Sequence, residues 1–334
     1  MIPPERSLRA ALAAGRFAVT AEIGPPRGAD PDAIRHKAAL LRGWVDAANV
    51  TDNAGASVRL ASFAGSLLAA EAGVEPVMQL VCRDRNRIAL QSDLLGAAAL
   101  GIPNVLLLTG DHPVFGDHPG AKPVFDLDSV QLVWTARALR DEGVLLSGKP
   151  VDPRPRFLIG AVENPFAPPA EFRAARLGKK VAAGAEFCQT QFVFDVAGFA
   201  RFMAEVVDQG IAVPTHPAGG AGGVGRHCAV LAGVGPVRSL RAYEFIRTSV
   251  PGVHVPDAVG RRLRGVPADR VAAEGITLCV ETIQQLREIP GVAGVHVMAF
   301  GHERGIPEIL ERAGLAPAGS AEAGSAPERS AHAG

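Results

Sequence analysis

The sequence has no CxxC cysteine pair. Its four cysteines, Cys82, Cys188, Cys228 and Cys279, are scattered. That excludes a zinc ribbon or a dithiol redox centre and suits a reducing compartment. There is no charge excess either, since 34 Lys and Arg balance 34 Asp and Glu. A dedicated nucleic-acid binder carries a basic surplus, so that class is set aside. A small anionic ligand needs only a local patch and is not excluded. No basic segment followed by an apolar run opens the chain, so no export signal is expected. Two long stretches lack Asp, Glu, Lys and Arg, at 94–110 and 209–225. Both fall short of the ~20 apolar residues of a membrane helix. The first is interrupted by Pro103 and Asn104, and the second is rich in Gly and Pro. A cytoplasmic protein without membrane contact is expected.

What is present is a core and a rhythm. With 48% hydrophobic residues in 334, the chain can bury a large interior and is not a disordered one. Short aliphatic or β-branched runs alternate with longer amphipathic ones, the sequence form of βα units. Eight strands are expected, at 17–23, 46–51, 76–82, 104–109, 157–162, 187–192, 228–233 and 294–299. Helices are expected at 31–42, 129–142, 170–183 and 196–209, with two or three more between 238 and 289. The first helix has Asp30 as a candidate N-cap and Pro31 at its first position. Eight strands with intervening helices fit an α/β fold, a single (βα)8 TIM barrel with extra helices between strands seven and eight. The alternative is a doubly wound open sheet, but strand one is not followed by the glycine-rich fingerprint of that fold, and no GxxxxGK[ST] occurs. The barrel is expected over 1–316. A Gly/Pro-rich insertion at about 213–226 falls before strand seven, on the N-terminal face. The small, polar segment 317–334 reads as a disordered tail.

Polar residues at strand C-termini converge on the active face of such a barrel. Strand one carries Glu22 near its end, either a salt-bridged barrel carboxylate or an acid whose proton affinity is raised by burial. Strand two ends in Thr51-Asp52-Asn53, strand three in Cys82-Arg83-Asp84 and strand four in Thr109-Gly110-Asp111. Strand five ends in Glu163-Asn164, and strand six carries Gln189 and Gln191. Together they suggest a large polar ligand site. Two Gly-Asp-His-Pro copies follow strand four, with Asp111, His112, Asp117 and His118. They read as turns and ligand contacts. A catalytic zinc needs three converging ligands, so no metal is expected.

Over residues 17–315 the chain resembles the methylenetetrahydrofolate reductase family. The pieces that carry the resemblance are TAEIGPP at strand one, CRDRNRIALQSDLLGA after strand three and LLTGDHPVFGDHPGAKPVFDLDS at strand four. Further pieces are IGAVENP at strand five, KKVAAGAEFCQTQFVFD around strand six, GVGP at strand seven and PGVAGVHVMAFG at strand eight. The resemblance is greatest to the short bacterial form that is a catalytic barrel alone. It implies reduction of 5,10-methylenetetrahydrofolate to 5-methyltetrahydrofolate, serving one-carbon metabolism and methionine synthesis. The hydride would pass from NADH or NADPH through a flavin in a ping-pong cycle, with FAD favoured over FMN. It implies Glu22 as general acid, Asp111 as a carboxylate stabilising positive charge between flavin and pterin, and Gln191 on the pterin edge. For the flavin it implies Thr51, Gln79, Leu108, Thr109, Gly110, His118, Phe125, Asp128, Asn164, Lys179 and Lys180, the two lysines on the pyrophosphate. An aromatic that stacks on the folate benzoyl ring aligns with Leu240. Gln79 and Thr109 stand where the family commonly has histidine and arginine, and His302 stands where an arginine follows strand eight. The implied partners are folate and nicotinamide substrates, with an electron-donor protein and a homo-oligomer also compatible. A pterin-dependent methyltransferase barrel and a flavin-free folate-binding relative are the competing readings.

Overall fold

The computed structural model describes residues 7–213, 227–250, 252–299 and 301–315. Residues 214–226 of the expected insertion, and the expected tail at 317–334, lie outside the described residues. Eight parallel strands close into a barrel in sequence order. They are β1 (Ala18–Ile23), β2 (Ala47–Val50), β3 (Pro76–Val81), β4 (Asn104–Leu108), β5 (Leu158–Glu163), β6 (Phe187–Phe192), β7 (Ala229–Val234) and β8 (Val292–Val297). β8 pairs back onto β1, with Thr20 opposite His296. Closure excludes the open doubly wound sheet. Around the barrel run α1 (Leu8–Ala13), α2 (Pro31–Leu41), α3 (Ser62–Glu71), α4 (Arg87–Ala99), α5 (Ser129–Arg137), α6 (Arg173–Ala183) and α7 (Val196–Asp208). The extra helices before β8 are α8 (Leu240–Ser249), α9 (Asp257–Arg264) and α10 (Val271–Leu286), and α11 (Ile306–Arg312) ends the described chain. Among the described residues no helix is long and apolar enough to cross a membrane.

Local signals explain most boundaries. Asp30 caps α2 by accepting from the Asp32 N–H, and Pro31 occupies the first turn, where its missing N–H costs nothing. β2 is shorter than expected. Asp46 stands outside it, accepting from the Val19 N–H at 2.8 Å and from Arg16. β8 begins two residues earlier than expected, at Val292. The expected helix 129–142 is α-helical only to Arg137, after which a π-turn over Ala138–Glu142 closes on Gly143 at φ +68°.

The bore of the barrel changes character along its length. Its N-terminal end is apolar, with Ala18, Ala47, Val77, Leu106, Leu158, Phe187 and Leu231 packed against Leu8 and Ala11 of α1. Gly160 makes room for Phe187, since a Cβ there would lie 2.2 Å from the ring. One inward step along the strands the bore becomes polar. Gln189 Nε2 on β6 donates to Asn49 Oδ1 on β2 at 3.0 Å and to Thr20 Oγ1 on β1 at 3.1 Å. The Thr20 hydroxyl in turn lies 3.0 Å from His296 Nδ1 on β8. Period-two alternation turns Thr20 and Asn49 inward together with the residues two ahead of them, Glu22 and Thr51.

His296 is buried, and burial pushes its imidazole down to about 3, so the folded ring is neutral and its Nδ1 shares a hydrogen bond with the Thr20 hydroxyl. In the unfolded chain the ring takes a proton below about 6.5. The folded pKa is the lower of the two, so this stability is complete above about pH 6.5 and is lost as pH falls toward 3. The expected loss is roughly 5 kcal/mol at the acid end. Gln at this position keeps an acceptor but does not titrate, so His296→Gln flattens this part of the acid limb. Urea midpoints at pH 7, 5 and 4 check it, and parallel slopes for the two proteins would refute the assignment.

Candidate active site

The C-terminal ends of the strands form one face, and a buried arginine ties three of its loops together. Arg83, 3% exposed, holds Asp84 through Nε and Nη2. It also donates to the Asp111 carbonyl at 3.1 Å and to the Asn53 carbonyl at 3.2 Å. The loops after β2, β3 and β4 are thereby fixed to one guanidinium, whose planar fork suits several acceptors at once. Beside it the buried Asp52 takes Arg85 at 2.7 and 3.2 Å and the Val81 N–H at 3.0 Å. Gly110 turns the chain at φ +87°, a conformation that favours glycine, and a Cβ there would crowd Val81 at 3.0 Å.

The two Gly-Asp-His-Pro copies close this side of the mouth. Asp111 Oδ2 accepts from the Gly55 N–H at 3.2 Å, and Asp117 accepts from the Val58 N–H. Gly116 lies so close to the β2–α3 loop that a Cβ would fall 1.9 Å from the Ala56 carbonyl oxygen. Both carboxylates therefore pin one loop to another through backbone N–H groups. His112 accepts from the Val114 N–H, and His118 is exposed.

Across the mouth, Glu22 stands on the inner wall, half-buried. Burial, reinforced by the nearby Glu303 and opposed by Lys37, raises its carboxyl to about 7. Lys37 of α2 ion-pairs with Glu303 at 3.1 Å and donates to the Gly24 carbonyl at 2.9 Å. The nearby cation thus goes to Glu303. Lys37 and Glu303 were missed by sequence reasoning, although His302, one residue before Glu303, had drawn attention. Gln191 sits at a β-bulge between β6 and β7, with its Oε1 accepting from the Phe192 N–H at 3.0 Å. Thr51 and Gln79 are buried in the wall. Leu108 ends β4 and Thr109 follows it, the Thr109 carbonyl accepting from the Arg83 N–H. Leu240, 38% exposed, opens α8 behind its Ser239 cap. Glu22, Thr51, Asp111 and Gln191 therefore share one rim, with Gln79, Leu108, Thr109, Gly110 and Leu240 around it.

The remaining positions expected to contact a flavin, including the two lysines expected on its pyrophosphate, do not assemble in the same way. Lys180 Nζ donates to Glu163 Oε2 at 2.9 Å and to the Val162 carbonyl, and Arg176 adds a contact to Glu163 at 3.4 Å. Glu163 is buried, and a buried carboxylate demands a cation. Lys179 points outward from α6 and is exposed. Asp128 is occupied by a capping box with Gln131 at the start of α5. Phe125, at φ +41°, packs on the core beneath α5. Asn164 accepts from the Phe166 N–H and lies against Gly252. Of the two lysines expected on a pyrophosphate, Lys180 is committed to Glu163 and Lys179 is exposed.

This changes what the two lysines are expected to do. Lys180→Met leaves Glu163 short of a cation and costs about 3 kcal/mol, the lower end for a broken buried pair because Arg176 remains. Lys179→Met changes stability by no more than about 0.5 kcal/mol. Chemical denaturation of the two single variants measures this, and equal effects would contradict the geometry.

Comparison with known proteins follows the same line. A family profile described as Methylenetetrahydrofolate reductase matches residues 7–314. The chain is 24% identical over 250 residues to a Caenorhabditis elegans protein named Probable methylenetetrahydrofolate reductase (NADPH), covering 73% of this chain and 33% of that one. It is 25% identical over 286 residues to Methylenetetrahydrofolate reductase 2 of Saccharomyces cerevisiae, covering 80% and 42%. The chain thus spans between a third and about two-fifths of the length of these relatives. Among solved structures, a Clostridium thermocellum protein described as binding two copies of 5-methyl-5,6,7,8-tetrahydrofolic acid shares the fold at 13% identity. Its TM-score is 0.62, covering 89% of this chain and 94% of that one. With its closed eight-stranded barrel and a profile match along almost its whole length, the chain belongs to the methylenetetrahydrofolate reductase family.

Proposed function

We propose that this protein reduces 5,10-methylenetetrahydrofolate to 5-methyltetrahydrofolate with NADH or NADPH as the electron source. The observation that carries the reading is Glu22, a half-buried carboxyl on the barrel wall with a pKa of about 7. Ring opening of the methylene bridge needs a proton on the bridging nitrogen, and a carboxyl with a pKa near 7 supplies it at neutral pH. The product is an iminium that accepts hydride. Asp111 on the same rim offsets its positive charge. The Gln191 amide can donate to and accept from the pterin edge, and Leu240 offers an apolar surface to the benzoyl ring.

Two routes for the hydride follow from the site. The resemblance brings in FAD, with donor and folate reacting alternately at one flavin. Thr51, Gln79, Leu108, Thr109 and Gly110 support a flat ring there. The second route is direct transfer from the reduced nicotinamide to the iminium. It is favoured by the commitment of Lys180 to Glu163, which leaves Lys179 as the one expected lysine open to a flavin diphosphate. An anaerobic absorption spectrum of the purified protein, taken before and after NADH and then methylenetetrahydrofolate, separates them. A flavin band that bleaches and returns supports the first, and turnover without such a band supports the second. Methyl transfer to an acceptor with no nicotinamide oxidised would overturn the reductase reading in favour of a methyltransferase barrel.

On either route Glu22→Gln keeps size and hydrogen bonding but cannot release a proton. Folate reduction is expected to fall roughly 10²–10⁴-fold. Native folate reduction, which needs protonated Glu22, declines as pH rises through about 7, and the variant lacks that limb. Stopped-flow rates from pH 6 to 9 test both statements, and an unchanged rate would remove Glu22 from the proton-donor role.

A further inference from the structure

Resting on the reading of Glu22 as proton donor, we propose that Lys37 and Glu303 are a positioning pair whose opposed charges set the pH at which Glu22 releases its proton. Glu303 comes from the turn after β8, is 6% exposed, and meets Lys37 of α2 at 3.1 Å. Lys37 is also bonded at 2.9 Å to the Gly24 carbonyl, two residues past Glu22. The pair is therefore tied to the end of the strand that carries the acid. Glu303 is buried, and a buried charge is screened less than an exposed one.

The two partners act on Glu22 in opposite senses. A like charge disfavours the second carboxylate, and the ammonium favours it. Both effects operate on Glu22, with burial as the larger cause. Among the described residues, Asn49 is the uncharged neighbour of Glu22 on β2, and Thr20 and neutral His296 lie beneath it. His302 and Arg304 flank Glu303. Burial, with Arg238 and Arg304 nearby, lowers the His302 imidazole below its ordinary value. A merely structural pair would shift nothing, or shift the acid the same way whichever partner was removed.

Infrared difference titration of the whole protein reads Glu22 directly. Its carboxylic C=O band is identified by subtracting the spectrum of Glu22→Gln. The native midpoint is expected near pH 7. Glu303→Gln should lower it by about half a unit or more, roughly threefold in proton affinity, and Lys37→Met should raise it by a similar amount. Lys37→Arg, which keeps the charge, should leave it in place. Each single substitution strands one partly buried charge, so the double variant Lys37→Met/Glu303→Gln provides a neutral pair that removes that penalty. Its midpoint should lie between those of the singles, or, where a single variant fails to fold, remain near the native value within the half-unit shifts. A shift of both single variants in one direction, no shift in either, or a displaced midpoint in Lys37→Arg overturns the proposal. The titration needs no turnover, so its failure is distinct from that of the functional reading. Opposite shifts alongside full activity of Glu22→Gln would refute the reading of Glu22 as donor and keep the electrostatic assignment.

Discussion

Asn49 and Gln189 meet across the bore of the barrel, and the hydrogen bonds they share with Thr20 and His296 separate two environments. Four uncharged polar side chains from β1, β2, β6 and β8 satisfy one another there. Buried polar groups of this kind are tolerated only when their partners are all present. Below the belt the bore is apolar and plugged by α1. Above it the next inward positions include Glu22, Thr51 and Gln191. The belt thus gives the open end a polar floor with no charge of its own, so that burial first, and then the charged groups at the rim, decide the protonation of Glu22.

Charge compensation then decides which rim groups are available to a ligand. Asp52, Glu163 and Glu303 are buried carboxylates, and each holds a cation, Arg85, Lys180 and Lys37 respectively. Arg83 is likewise consumed in joining three loops. A cation used to neutralise a buried carboxylate cannot also neutralise a ligand without exposing the first charge. This is why Lys180, which looks free on a helix in the sequence, is occupied by Glu163 in the structure. It is also why Glu22, whose neighbouring cation serves Glu303, remains able to hold a proton near neutrality.

The sequence by itself determined the barrel and much of the rim. Strand and helix periods are local properties, so all eight strands and the Asp30 cap were legible, with boundaries displaced by a residue or two. Polar residues at strand ends were legible for the same reason, because the topology carries them to one face. The Asp128–Gln131 capping box is also local and could have been read from the spacing, but the resemblance directed Asp128 to a ligand instead. Only the tertiary structure decided the partnerships. Lys180 meets Glu163 because α6 folds back on β5, and Lys37 meets Glu303 because the first and last βα units become neighbours when β8 closes on β1. The strength of a charge interaction depends on distance and burial, and the order of residues in the chain contains neither until the barrel has closed.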